Sequence, residues 1–133
     1  MIYLLDTHTF IWAVLETNML SKNAYEIVAD ARNEIYVSAV SFWEISLKTN
    51  IRKFSFKNVD IKSFPKYARE MDFNIIDMHE NEAITFHELP LKEKHKDPFD
   101  RMLLWQAITK NMTMISKDEQ FEQYKKDGLK LIW

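Results

Sequence analysis

Five short runs with strand character alternate with stretches of helical periodicity, and this alternation constrains the fold more than any other feature. The runs are IYLL (2–5), EIYVS (34–38), FNIIDM (73–78), MTMIS (112–116) and LKLI (129–132). Between the first two, Phe10, Ile11, Val14 and Leu15 recur at helical spacing, and Ser21 is placed to cap a helix reaching about Arg32. The spacing predicts further helices over 39–50, over 60–71 with Pro65 limiting it, and over 82–89. Asp97 and Pro98 open another, and KDEQFEQY is a short one. Strands that alternate with helices predict an α/β fold whose parallel sheet is covered on both faces.

Bulk properties narrow the function classes. A chain of 133 residues, 47% hydrophobic, is long enough for one compact domain over 1–133 with its own core. The single glycine, Gly128, excludes glycine-rich loops of the P-loop or dinucleotide-binding type. The absence of cysteine removes disulfides, thiolate metal sites and cysteine nucleophiles, and fits a reducing compartment. Asp6 interrupts the N-terminal apolar run too early for a signal peptide, and no run is long enough to span a bilayer. The expectation is a cytoplasmic protein without membrane association. Net charge is −2, but basic residues cluster from Lys48 to Lys66 and again at Lys92, Lys94, His95 and Lys96. Each cluster suits either a phosphate backbone or plain solvation.

Four carboxylates fit poorly with a core. In sheets of this kind, ligand-binding groups collect beyond the carboxyl ends of the strands. Asp6 follows IYLL, and Asp118 lies two places after MTMIS. In HKDPFDRMLLWQA, Asp100 shares a helix face with Leu103, Leu104 and Ala107. In VSAVSFWEISLK, Glu44 falls within an inward stripe of Val40, Trp43, Leu47 and Ile51. Lone ionised carboxylates in such places are costly unless paired or coordinated. If the four meet, they need a cation. An all-oxygen set without metal-spaced His pairs favours Mg2+ or Mn2+ over Zn2+. A carboxylate-held ion of that kind suits phosphodiester hydrolysis, so Asp6, Glu44, Asp100 and Asp118 are the candidate catalytic and metal residues.

Each acid also has a purely structural reading. Asp6 can cap the first helix, and Glu44 can pair with a buried Lys or Arg. Asp100 favours the helix dipole, and Asp118 can enrich a first turn beside a Ser116–Glu119 capping box. Asp97 reads first as an N-cap.

These segments resemble PIN-domain ribonucleases, specifically the VapC-like toxins of bacterial and archaeal toxin–antitoxin pairs. MIYLLDTHTFIWAVLE is similar to the family's opening strand and first Asp, and VSAVSFWEISLK to its Trp-Glu-Ile helix. HKDPFDRMLLWQA is similar to its Asp-Pro-Phe-Asp-Arg segment, and MTMISKDEQFEQY to its closing Ser/Thr-x-Asp segment. The resemblance implies a three-layer α/β/α sandwich with a mainly parallel sheet and an acidic pocket at its carboxyl edge. Asp6, Glu44, Asp100 and Asp118 then match the metal-binding acids. Asp97 matches an accessory acid, Thr7 and Ser116 supporting hydroxyls, and Arg101 a group that orients a carboxylate or contacts RNA. The same resemblance implies cleavage of RNA with Mg2+ or Mn2+, a homodimer, and silencing by a cognate antitoxin. Where family members often carry a Gly at the end of the Trp-Glu-Ile helix, this chain has Asn50-Ile51-Arg52, and Asn50 is the residue able to take the left-handed cap.

Two other readings compete. A non-catalytic module of the same fold would bind RNA or protein without cutting. A haloacid-dehalogenase-like phosphatase would use Asp6 as nucleophile, but position 8, where that motif wants a second Asp, is His8. His8 is expected beside the pocket, and His79, His87 and His95 at the surface or at helix starts. The aromatics Phe10, Trp12, Phe42, Trp43, Phe54, Phe56, Phe64 and Tyr67 form either an interface or a large aromatic core.

Overall fold

A computed structural model describes residues 1–133. Five strands, β1 (Ile2–Leu5), β2 (Glu34–Ser38), β3 (Asn74–Ile76), β4 (Thr113–Ile115) and β5 (Lys130–Ile132), form one sheet. Its order is β3-β2-β1-β4-β5, and every pairing is parallel, with Tyr3 opposite Ile35 on one side and Thr113 on the other. The chain thus leaves β1 toward one edge and later returns to pair β4 on its other side. This is a topological switch point, where a crevice opens beyond the strand ends.

Six α-helices accompany the sheet: α1 (Thr7–Leu15), α2 (Lys22–Ala29), α3 (Ala39–Asn50), α4 (Phe64–Glu70), α5 (Glu80–Thr85) and α6 (Pro98–Thr109). The strands alternate between two cores. Tyr3, Leu5, Ile35, Val37 and Ile115 point into a cluster with Phe10 of α1, Ala24 of α2, and Phe64 and Ala68 of α4. Leu4 and Met114 point the other way, to Leu103, Leu104 and Ala107 of α6 and to Phe121 and Tyr124. Side chains alternate across a strand, so a sheet apolar at successive positions must be covered on both faces. The result is the α/β/α sandwich. No helix is long and apolar enough to cross a membrane.

Local chemistry sets the boundaries. Ser21 accepts from the Ala24 N–H at 2.9 Å and starts α2, while Pro65 sits in the first turn of α4 rather than breaking a longer helix. A 3-10 helix, Glu119–Asp127, is closed by Gly128 at φ 103°, a left-handed conformation that the lone glycine adopts cheaply.

Two expectations are corrected, and a third, left open between two readings, is decided. On α3, Trp43 and Ile51 do not face inward, and Trp43 is 57% exposed. The buried face is Val40, Ser41, Glu44 and Ile45, because α3 splits its side chains between the two cores: Ile45 joins one and Val40 the other. The left-handed residue after α3 is Arg52, at φ 61°, not Asn50, which is still helical. The remaining aromatics of the first half mostly build core: Phe10 and Phe64 are buried, and Trp12, Phe42, Phe54, Phe56 and Tyr67 pack against the same cluster.

Candidate functional site

All four carboxylates singled out from the sequence line one cleft of about 530 Å³ at the carboxyl edge of the sheet. Each arrives by a different route. Asp6 ends β1 and caps α1, accepting the Thr9 N–H at 2.9 Å. Its other oxygen accepts from the Ser116 hydroxyl at the end of β4. Asp6 and Ser116 thus bridge the switch point between β1 and β4. Asp118 caps the 3-10 helix through the Gln120 N–H at 2.9 Å, while its own N–H donates to Ser116 Oγ at 3.0 Å. The expected Ser116–Glu119 capping box is therefore replaced by a cap from Asp118 itself.

Glu44, 2% exposed, comes from the buried face of α3. Thr7 donates to one of its oxygens, and the Ser41 hydroxyl lies 3.0 Å from that of Thr7. Lys48, one turn later, donates to the other oxygen and lies 4.0 Å from Asp97. Asp97 caps α6 by accepting the Asp100 N–H at 2.9 Å, in keeping with its sequence reading. It also lies close enough to the acids for its oxygen, one of Glu44 and one of Asp100 to fall within 4.8 Å of one another. Asp100 projects from the first turn of α6.

The electrostatics follow from crowding. Burial, and then the charges of Asp97, Glu44, Asp6 and Asp118, push the Asp100 carboxyl up to about 8. Burial also raises Asp6 above the ordinary carboxylate range, with the Ser116 and Thr9 hydrogen bonds opposing it. Burial works against the charge of Lys48, but the hydrogen bond and charge of Glu44 outweigh it and hold the ammonium above its ordinary value. An Asp100 carboxyl kept from ionising by burial and by the acids around it leaves an incomplete charge balance, which a divalent cation would complete with the ligand type it prefers. The donor set fits Mg2+ or Mn2+.

Three basic side chains, His95, Arg101 and Lys92, depart from their sequence readings, and a fourth, Lys48, meets one. Lys48 is the partner anticipated for Glu44 in the structural reading of that acid, and its signal was the i, i+4 spacing. His95 is not a surface group. It is buried, with Nδ1 2.8 Å from the Tyr124 hydroxyl and Nε2 3.3 Å from Asp100 Oδ2. Its burial lowers its pKa below the ordinary imidazole value, against the charges of Asp118 and Asp97. Arg101 touches no carboxylate directly and does not line the cleft. It is 5% exposed and donates to the carbonyls of Leu89 and Pro90 and to the Tyr124 hydroxyl, each at 3.1 Å. Lys92, read with the second basic cluster, is likewise buried and pairs with Asp127 at 2.7 Å. His8 lines the cleft as expected, with Trp12 and Lys117.

The family model for the PIN domain matches residues 3–127. Among solved structures, the chain is similar to one in VapBC2 from Rickettsia felis bound to a DNA fragment from their promoter. Identity there is 24%, with a TM-score of 0.72 over 99% of this chain and 98% of that one. It is also similar to DNA-bound VapBC from Salmonella typhimurium, at 14% identity and TM-score 0.64 over 98% and 96% of the two chains. VapBC-1 from nontypeable Haemophilus influenzae gives 17% and 0.60 over 99% and 97%. At these identities the likeness is one of fold. No curated protein matches the chain by sequence.

Proposed function

The chain belongs to the PIN domain family, and from that footing we propose that it is a Mg2+- or Mn2+-dependent endoribonuclease, the toxin of a toxin–antitoxin pair. The observation that carries the proposal is the convergence of Asp6, Glu44, Asp100 and Asp118 on one cleft, with the Asp100 carboxyl held up to about 8 by burial and its neighbours. Asp6, Glu44, Asp100 and Asp118 would hold the cation, with Asp97 at the rim. When bound, such an ion activates water and stabilises charge developing on phosphate oxygens.

The protein's own residues have separate tasks. Ser116 holds Asp6, and Thr7 holds Glu44, each leaving the carboxylate little freedom to turn away from the cleft. Lys48 and Lys117 line the same cleft and offer positive charge to a phosphate backbone. Trp12 gives an apolar wall suited to an unpaired base. Together with the resemblance to PIN-domain ribonucleases, these groups support RNA with accessible single-stranded segments as the substrate.

The similar structures are VapBC structures, which supports a cognate antitoxin as partner, and the family resemblance supports a homodimer in the cytoplasm. A non-catalytic module of the same fold remains the second reading, favoured by one observation: Lys48 already neutralises part of Glu44. Cleavage of a mixed RNA with Mg2+ or Mn2+, beside Asp6→Asn and Asp100→Asn, tests the proposal. Asn keeps the shape and removes the charge. Wild-type cleavage with both variants folded and inactive supports the nuclease; cleavage by the variants at the wild-type rate refutes it. Calorimetric Mn2+ binding separates the second reading, which predicts none.

A further inference from the structure

The group formed by His95, Asp100 and Asp118 has donor atoms within 4.8 Å of one another, an arrangement that reads at first as three metal ligands. The hydrogen bonds behind His95 argue otherwise. Arg101 is pinned by the Leu89 and Pro90 carbonyls and can only donate, so the Tyr124 oxygen, 3.1 Å from its Nη1, accepts. The single phenolic proton is then free for His95 Nδ1 at 2.8 Å. A neutral imidazole whose Nδ1 accepts carries its proton on Nε2, and Nε2 faces Asp100 Oδ2 at 3.3 Å. Protonated Nε2 has no lone pair for a metal. The imidazole is held edge-on between the rings of Phe121 and Tyr124, and the Lys92 ammonium lies 5.3 Å from the Tyr124 ring centroid.

We propose that His95 is a positioning residue: Arg101 and Tyr124 fix its tautomer so that its Nε2–H donates to the Asp100 carboxylate, and the imidazole is not itself a metal ligand. The relay runs Arg101 to Tyr124 to His95 to Asp100, from a buried guanidinium to the acid at the mouth of α6. It gives Arg101 a function that its distance from the cleft conceals. Its bearing on metal binding rests on the nuclease reading; the tautomer does not.

The experiment is long-range 1H–15N NMR of the full chain labelled at histidine, at pH 9, where the Asp100 carboxyl is mostly ionised, without metal and with Mg2+. The expected result is a His95 with protonated Nε2 and bare Nδ1 in both states, and a mixture of tautomers in Tyr124→Phe. Protonated Nδ1, or an Nε2 that loses its proton when Mg2+ is added, overturns the proposal. Mn2+ titration supplies a second readout. The His95→Gln amide reaches the position of Nε2 and should keep Mn2+ affinity within about threefold, whereas His95→Asn and His95→Ala should lose roughly 10- to 100-fold. Equal losses in all three variants would also overturn it. If Asp100→Asn binds Mn2+ as tightly as wild type, the metal reading fails, while the tautomer is still decided by the NMR.

Discussion

The Lys48 ammonium sits on the Glu44 carboxylate one turn earlier on α3, while Asp97, the cap of α6, lies 4.0 Å from the same ammonium. A protein side chain thus carries positive charge into the cleft before any cation enters. Glu44 is buried and Lys48 nearly so, which makes the pair stronger than an exposed one yet weaker than a fully desolvated one. In Lys48→Met, which keeps the apolar stem, stability without metal should fall by about 1–3 kcal/mol, between the values for exposed and buried pairs. Mn2+ affinity should rise, because a competing charge has left. Denaturant unfolding in EDTA and Mn2+ titration read the two effects. Weaker Mn2+ binding in the variant would show that Lys48 organises the site rather than competing for it.

Asp100 makes the metal-free protein sensitive to pH. Its carboxyl titrates at 3.8 ordinarily and near 8 in the fold, chiefly through burial. The raised value means that the protonated acid favours the fold. That contribution is complete below pH 3.8 and is lost as pH rises toward 8. Without metal, the melting temperature of the wild type should therefore decline across this window, and that of Asp100→Asn should decline less. Metal binding requires the ionised acid, so Mn2+ affinity should climb with pH, by up to about tenfold per unit below 8. A pH-independent affinity would show that Asp100 does not hold the ion.

Exposure reverses the expected ranking of two apolar substitutions. Leu104 is fully buried in the α6 core, whereas Trp43 is 57% exposed and keeps mainly an edge contact with Phe99 at 4.9 Å. Leu104→Ala should cost about 2–5 kcal/mol. Trp43→Ala should cost about 1 kcal/mol, near the worth of one aromatic pair. Urea titrations of the two variants compare them directly. A larger loss at Trp43 would mean that its face is covered in solution.

Gly128 tests the backbone alone. A Cβ there would meet only Ile108 Cγ2, at 3.7 Å, which is ordinary contact. The φ of 103° is the obstacle, so Gly128→Ala should lose about 1–2 kcal/mol without altering Mn2+ binding. Loss of Mn2+ binding in a folded variant would tie the end of the 3-10 helix to the site.

Strand–helix alternation, the caps at Ser21 and Asp97, and the helix bounds of α3 were legible in the sequence because each depends on residues close together in the chain. The four carboxylates were legible for a related reason: an acid at a strand end or on an apolar helix stripe is anomalous in its own local pattern. All four line the cleft. Local pattern did not reveal what surrounds them. Helical periodicity assumes a single inward face and so places Trp43 in the core, whereas α3 packs against two cores.

His95, Tyr124 and Arg101 belong to segments up to 29 residues apart, and no spacing rule links them. Arg101 follows Asp100 directly, yet helical geometry turns adjacent side chains about 100° apart, so one acid faces the cleft while the guanidinium goes inward. Local pattern along the chain is enough to set which elements form and which charges are out of place among them. Which groups meet is settled in three dimensions, because burial and hydrogen bonding between distant segments exist only once both faces of the sheet are covered.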